Sequence, residues 1–281
     1  MAETIFNNSG SVTTILGTLN QFHSFSQLTY HDDVRTTLNA KYNLNANQGP
    51  TEVPLMRYFG IGIKGYKNTD GNQGARPFQP KCTNMDLYEP IPFRVVDIDH
   101  DLSHEDRLNY RLRVLKTKGG VTYACYYLKV IKWDPNTVEV VRKDTDDIET
   151  TYALNPLNLN PQPTDPTVGG SVEADRVIVR CTGLCEVTGA EVLEAVNVLY
   201  DGDLSKARIS EMGFYTGCDV VVDANEAIVN GSTPAVNQSY EAIYVQLAKH
   251  RCTLGTDLSD AGSSMMPYVS FESASLLDVE A

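Results

Sequence analysis

Residues 109–143 constrain this chain more than any other stretch. NYRLRVLKTK (109–118) alternates Tyr110, Leu112 and Val114 against Arg111 and Arg113. That two-residue period is what a half-buried strand requires. Gly119-Gly120 follows and suits a tight hairpin turn. VTYACYYLKVI (121–131) is rich in β-branched and aromatic residues. It is apolar on both sides, so it reads as a central strand. Trp133-Asp134-Pro135-Asn136 marks the next turn, and VEVVRK (138–143) reads as a third strand. The expected core is an antiparallel meander. The expected class is mainly β (β-rich α+β), with one or two short helices and extended terminal arms.

The rest of the chain divides around that core. Residues 1–50 are polar and rich in Asn and Thr, with Ile15, Leu19 and Phe22 at helical spacing and Val34, Leu38 and Tyr42 as a weaker echo. They read as an N-terminal arm ordered by a neighbour. PLMRYFGIGIKGYKN (54–68) alternates like a strand, and Gly60, Gly62 and Gly65 imply bulges or close backbone approach. The same three glycines spell G-x-G-x-x-G. A loop, YKNTDGNQG, follows them where a dinucleotide site needs a helix N-terminus, so that reading fails. Residues 51–153 are therefore expected to form an antiparallel β domain. LNPLNLNPQPTDPTVGG (154–170) carries four prolines and reads as a linker. Residues 171–281 are expected to form a second, α+β domain with an acidic C-terminal tail. In it, RVIVRC (176–181) is a strand, Thr188-Gly189-Ala190-Glu191 matches a capping box, and Val192, Val196 and Leu199 continue a helix. ARISEMGFYTG (207–217) suggests a turn, DVVVDAN (219–225) a strand, and AIYVQLAKHRC (242–252) a further strand.

Charge narrows the partners. The 281 residues carry a formal net charge of −13. From Ser210 to Ala281 there are ten acids against two bases, Lys249 and Arg251. Nucleic acid is not expected as a partner, because phosphate binding needs clustered Lys and Arg. No apolar run approaches the roughly 18–20 residues of a membrane-spanning helix. MAETIFNNSGS carries Glu3 and no basic region before an apolar stretch, so it does not read as a secretion leader. The expected setting is a reducing cytoplasm. The six cysteines (Cys82, Cys125, Cys181, Cys185, Cys218 and Cys252) are scattered. The single C-x₃-C pair, Cys181 and Cys185, is a weak zinc signal, and core cysteines are the favoured reading.

One stretch demands a chemical decision. DIDHDLSHED (97–106) holds two histidines and five carboxylates. As a metal site it offers Asp97, Asp99, His100, Asp101 and His104. His100 and His104 would share a helix face, but Asp101 stands where the zincin pattern H-E-x-x-H needs Glu. Asp97, Asp99 and Asp101 match the first calcium-loop ligands, yet Leu102 replaces the glycine and Leu108 the final glutamate. An acid/base role lacks any accompanying nucleophile motif or phosphate loop. The favoured reading is structural: Ser103 caps a short helix with acids in its first turn, and Glu105 and Asp106 make surface pairs with Arg107 and Arg111. No catalytic, cofactor-binding or metal residues are assigned, and no cofactor is expected.

RLNYRLRVLKTKGGVTYACYYLKVI resembles the basic strand, glycine turn and aromatic strand ending YYLK of baseplate wedge and related tail or neck proteins of contractile-tailed phages. PLMRYFGIGIKG and ARISEMGFYTGCDVVV are similar to other stretches of such proteins. The resemblance covers about a quarter of the chain. It implies a β-rich, repeated virion subunit, assembled in the host cytoplasm, whose partners are copies of itself and other virion structural proteins. Fifteen tyrosines suit such contacts, being both apolar and hydrogen-bonding, although strands favour tyrosine too. The rival expectation is a metal-binding enzyme or a calcium-stabilised β module using the Asp97–Asp106 loop. A glycan-binding module using exposed Tyr and Trp133 is a third.

Overall fold

A computed structural model describes residues 10–19, 37–42, 54–68, 74–134, 138–144, 146–153, 176–222, 228–229 and 239–276. The fold is mainly β and antiparallel. The chain forms two compact units. One comprises Met1–Ile131 with Glu186–Met266, and the other Lys132–Cys185 with Pro267–Ala281.

The larger unit is organised by a nine-stranded sheet among the described residues. Its main path runs from Gly10–Thr13 through Ser239–Asp257, Arg208–Val222, Leu55–Gly62 and Val121–Val130 to Arg94–Asp97. The expected hairpin is present. Tyr110–Lys118 pairs with Val121–Val130, and Gly119 and Gly120 close the turn at φ +60° and +83°. Both dihedrals lie in the left-handed region that glycine adopts without strain, so the Gly-Gly step suits the turn. Val121–Val130 is central as expected: its second edge is shared by Arg94–Asp97 and by Leu55–Gly62. That occupancy corrects the meander. With both edges filled, Glu139–Lys143 cannot add beside it, and instead lies in the smaller unit between Glu149–Thr151 and Arg176–Leu184.

Further expectations change for physical reasons. Residues 207–217 do not turn; Arg208–Val222 is one strand of 15 residues with register shifts along it. Its glycines serve close approach instead: a Cβ on Gly217 would meet the Tyr58 ring at 2.8 Å. This strand pairs with both Leu55–Gly62 and Ser239–Asp257, so the C-terminal half completes the N-terminal half's sheet. The units therefore do not follow a 51–153 and 171–281 division; residues 154–170 lie outside the described ones. The described parts of residues 1–50 pack on the chain's own sheet. Gly10–Thr13 pairs with residues 249–252, and Leu16 and Leu38 are buried. The C-terminal segment Tyr268–Leu276 is a strand along Arg176–Leu184.

The core of the larger unit sits on both faces of the long strands. Tyr58, Phe59, Phe93, Tyr126, Leu128, Ile243 and Leu247 are all buried there. Phe59 and Phe93 meet edge to face with ring centroids 5.2 Å apart. The helix Gly189–Leu199 is locked at its start by the expected capping box, with Thr188 and Glu191 bonding each other's backbone N–H. Such a cap contributes about 1 kcal/mol. Glu191 also anchors the helix to the sheet, accepting from Lys129 Nζ at 2.7 Å and Tyr110 Oη at 2.6 Å.

Candidate functional site

The acidic stretch is the strand-to-strand connection that its position implies. Asp97 caps a 3-10 turn, Ile98–His100, by accepting from the Asp99 N–H. Ser103 caps the short helix His104–Arg107 by accepting from the Asp106 N–H. Asp99 and His100 are exposed. Asp101 is held by Arg113, with Nε at 2.8 Å, and by the Tyr126 hydroxyl at 2.7 Å. The five candidate ligands Asp97, Asp99, His100, Asp101 and His104 do not converge. Among the described residues, one set of His, Cys and acidic groups gathers closely enough to hold an ion, and it lies elsewhere.

That set is Glu211, His250 and Cys252, all buried, with ligand atoms within 4.8 Å of one another. Strand geometry builds it. Glu211 and Cys252 are direct cross-strand partners, and His250 lies two residues before Cys252, so all three side chains leave one face. Two glycines make room. A Cβ on Gly62 would stand 2.7 Å from Glu211 Oε2, and one on Gly65 would stand 1.9 Å from the Ser210 carbonyl oxygen. The glycines of the G-x-G-x-x-G run thus serve close packing.

The Glu211 carboxylate ties two stretches of chain to the sheet through three backbone N–H groups. Oε1 accepts from the Tyr88 N–H at 2.9 Å, and Oε2 accepts from Lys64 N–H at 3.0 Å and Glu89 N–H at 3.1 Å. His250 Nε2 lies 3.2 Å from Oε1. Burial alone would raise the Glu211 carboxyl; the bonds from His250 and the three N–H groups outweigh it and hold the carboxyl below its ordinary value. On the far side, His250 Nδ1 lies 3.0 Å from the Asn84 side-chain amide, which also bonds the Tyr88 hydroxyl. The Tyr88 ring packs against the imidazole at 5.0 Å.

The arrangement is not a cysteine nucleophile with its base. Cys252 Sγ lies 3.6 Å from His250 Nε2, the same nitrogen that faces Glu211. A triad needs thiol and acid on opposite ring nitrogens. The thiol is fully buried, and burial with the Glu211 charge pushes it up to about 12. Thiolate reactivity needs the reverse.

A second buried polar cluster corrects the sequence expectation for Arg111. Instead of pairing at the surface with Glu105 or Asp106, Arg111 is 3% exposed and grips Asp219, Nε to Oδ1 at 2.7 Å and Nη2 to Oδ2 at 3.2 Å. Its Nη1 also donates to the carbonyls of Arg107, Leu108 and Tyr110. Tyr58 completes the cluster, donating to Asp219 Oδ1 at 2.7 Å. Burial and the Asp219 charge drive the Tyr58 phenol well above its ordinary value, so it remains the donor. The inward turn of Arg111 follows from Leu112, whose φ of +58° breaks the strand's alternation and buries both residues. The Leu112 N–H then donates to Glu241 Oε1 at 2.7 Å.

The sequence gives a faint trace of the Glu211 centre: an acid inside the apolar strand ISEMGF, and His and Cys spaced i, i+2 in AKHRC. Of the six cysteines, Cys82 is exposed, Cys181 half-buried and the other four buried. Trp133 is half-buried in the smaller unit. No helix among the described residues is long and apolar enough to cross a membrane. A family model described as a family of unknown function, DUF7208, matches residues 1–266, and the chain belongs to that family. No curated protein and no solved structure matches it.

Proposed function

We propose that this chain is a structural subunit of a tailed-phage particle, in the baseplate, tail or neck, acting through contacts with copies of itself and with neighbouring particle proteins. One observation carries the reading. Three acids on the long strands and the helix of the larger unit serve, with their arginine, lysine, tyrosine and backbone partners, as cross-braces. Glu211 ties residues 64, 88 and 89 to the sheet, Asp219 ties residues 58 and 111, and Glu191 ties residues 110 and 129. A broad sheet stiffened this way suits a subunit that must hold its shape while force and partners act on its surface. The likeness of residues 107–131 to phage tail proteins points the same way. The turn end of that hairpin exposes Leu115 and Val121 (48% and 38%), apolar surface of the kind that contacts bury.

Native mass spectrometry of the purified chain, with negative-stain microscopy, tests this. A discrete oligomer of fixed copy number supports the reading. So does decoration of purified phage particles by an antibody against the chain. A monomer at all concentrations that is also absent from particles contradicts it.

A further inference from the structure

The Glu211–His250–Cys252 centre has a geometry that its hydrogen bonds do not account for. An acid oxygen, an imidazole nitrogen and a sulfur point at one buried spot. A hydrogen bond between His250 and Glu211 explains two of them, and the thiol, 3.6 Å from the same imidazole nitrogen, converges on that spot as well. We propose that this centre binds one zinc ion, or a similar borderline divalent cation, through Glu211 Oε1, His250 Nε2 and Cys252 Sγ.

The distances fit. Tetrahedral zinc with bonds of about 2.0–2.2 Å to N and O and about 2.3 Å to S gives N···O edges of about 3.3 Å and N···S edges of about 3.6 Å. The observed Nε2···Oε1 and Nε2···Sγ separations are 3.2 Å and 3.6 Å. The lone pairs fit as well. Oε1 spends one acceptor position on the Tyr88 N–H and keeps another, while Oε2 is filled by Lys64 and Glu89. The carboxylate would thus bind through one oxygen, already oriented by backbone.

Asn84 supplies the outer support. A ligating histidine donates its other ring N–H to an oxygen. With the Asn84 amide turned so that Oδ1 faces His250 Nδ1, that oxygen accepts from both the imidazole N–H and the Tyr88 hydroxyl. Both partners are then donors, and His250 Nε2 has its lone pair for the metal. Charge also balances, since a carboxylate and a thiolate neutralise a divalent cation. Forming the metal–sulfur bond releases the Cys252 proton to solvent. Three protein ligands leave a fourth position for water or another donor. Such an ion would clamp the strands 208–222 and 239–257 where residues 64, 84, 88 and 89 dock.

The test is titration of the full chain, stripped with a chelator, with cobalt(II). The expected result is one ion per chain, with a sulfur-to-cobalt charge-transfer band and the intense visible bands of a tetrahedral ion, both abolished by added zinc. Cys252→Ser should lose the charge-transfer band, whereas the Cys82→Ser/Cys181→Ser double variant, which removes the accessible thiols, should keep it. Asn84→Leu should weaken binding about 10–100-fold, and Asn84→Asp, which retains an acceptor, should not. A folded wild-type chain that gives no such band overturns the proposal, whatever the variants do. A band that survives Cys252→Ser, or disappears in the double variant, also overturns it.

Discussion

The acidic connection at residues 97–106 and the Glu211 centre use the same residue types to opposite effect. In the connection, Asp97 and Ser103 accept from N–H groups two and three residues ahead. These bonds shape a turn in water and replace bonds that water would make equally well. In the centre, Glu211 accepts from N–H groups 122 to 147 residues away, in a place with no exposure. There the alternative to the bond is a part-buried donor left unpaired beside the core, which costs about 1–3 kcal/mol. Acid-rich sequence is therefore a poor guide to where acids matter; sequence separation and burial decide.

Glu211→Ala should have the largest effect. It strands the Tyr88, Glu89 and Lys64 N–H groups, and we expect a loss upward of ~3 kcal/mol, read from denaturant unfolding. A loss within ~0.5 kcal/mol would place the centre on a par with the connection and end the contrast.

Asp219→Ala comes next. It leaves the Arg111 guanidinium buried without its carboxylate, at a cost of about 3 kcal/mol, the low end for a broken buried pair, because Nη1 keeps the Arg107, Leu108 and Tyr110 carbonyls. Replacing Arg111 and Asp219 together should cost less than the sum of the single changes, because each single change carries the penalty of the group left behind. Additive effects would argue against the pair.

Glu241 sharpens the contrast through pH. Burial raises its carboxyl above the ordinary value, outweighing its bonds from the Ala242 and Leu112 N–H groups and the charge of Arg111. A folded-state value above the unfolded one favours the protonated form in the fold. Its stabilisation is complete below the ordinary carboxylate range, about 4.3, and is lost as pH rises through the folded value. Glu241→Gln keeps the acceptor and removes the charge. The variant should gain on wild type as pH rises through that window, in melts taken at a series of pH values. Parallel profiles would show that Glu241 is not desolvated in the fold.

Asp99→Asn with His100→Gln should do least. Both side chains are exposed, and the change should stay within ~0.5 kcal/mol in the same unfolding assay. A larger loss would give the connection a structural or ion-binding role that its local bonds do not.

Much of the fold was legible because it is local. The period of residues 109–131, the Gly-Gly turn and the Thr188–Glu191 cap are each written within a dozen residues, and each is present in the structure. The centre was not legible because its parts are written far apart. Nothing near Glu211 in the chain announces that residues 64, 88 and 89 will face it, or that Cys252 will be its cross-strand partner. Arg111 misled for a related reason. The period was right up to Leu112, whose positive φ rotates the strand and sends the arginine inward. The units misled because pairing across about 150 residues, Leu55–Gly62 with Arg208–Val222, leaves no composition shift to mark it.

The measurement that tests the contrast most directly is hydrogen exchange resolved to single amides, on the native chain. The Lys64, Tyr88 and Glu89 amides bond the Glu211 carboxylate, while those of Asp99 and Asp106 bond their own turns. The account predicts that the first three exchange as slowly as amides within the strands, and that the last two exchange at rates near those of an unfolded loop. Fast exchange at Lys64, Tyr88 and Glu89 would contradict it, because the carboxylate would then not be holding those segments to the sheet.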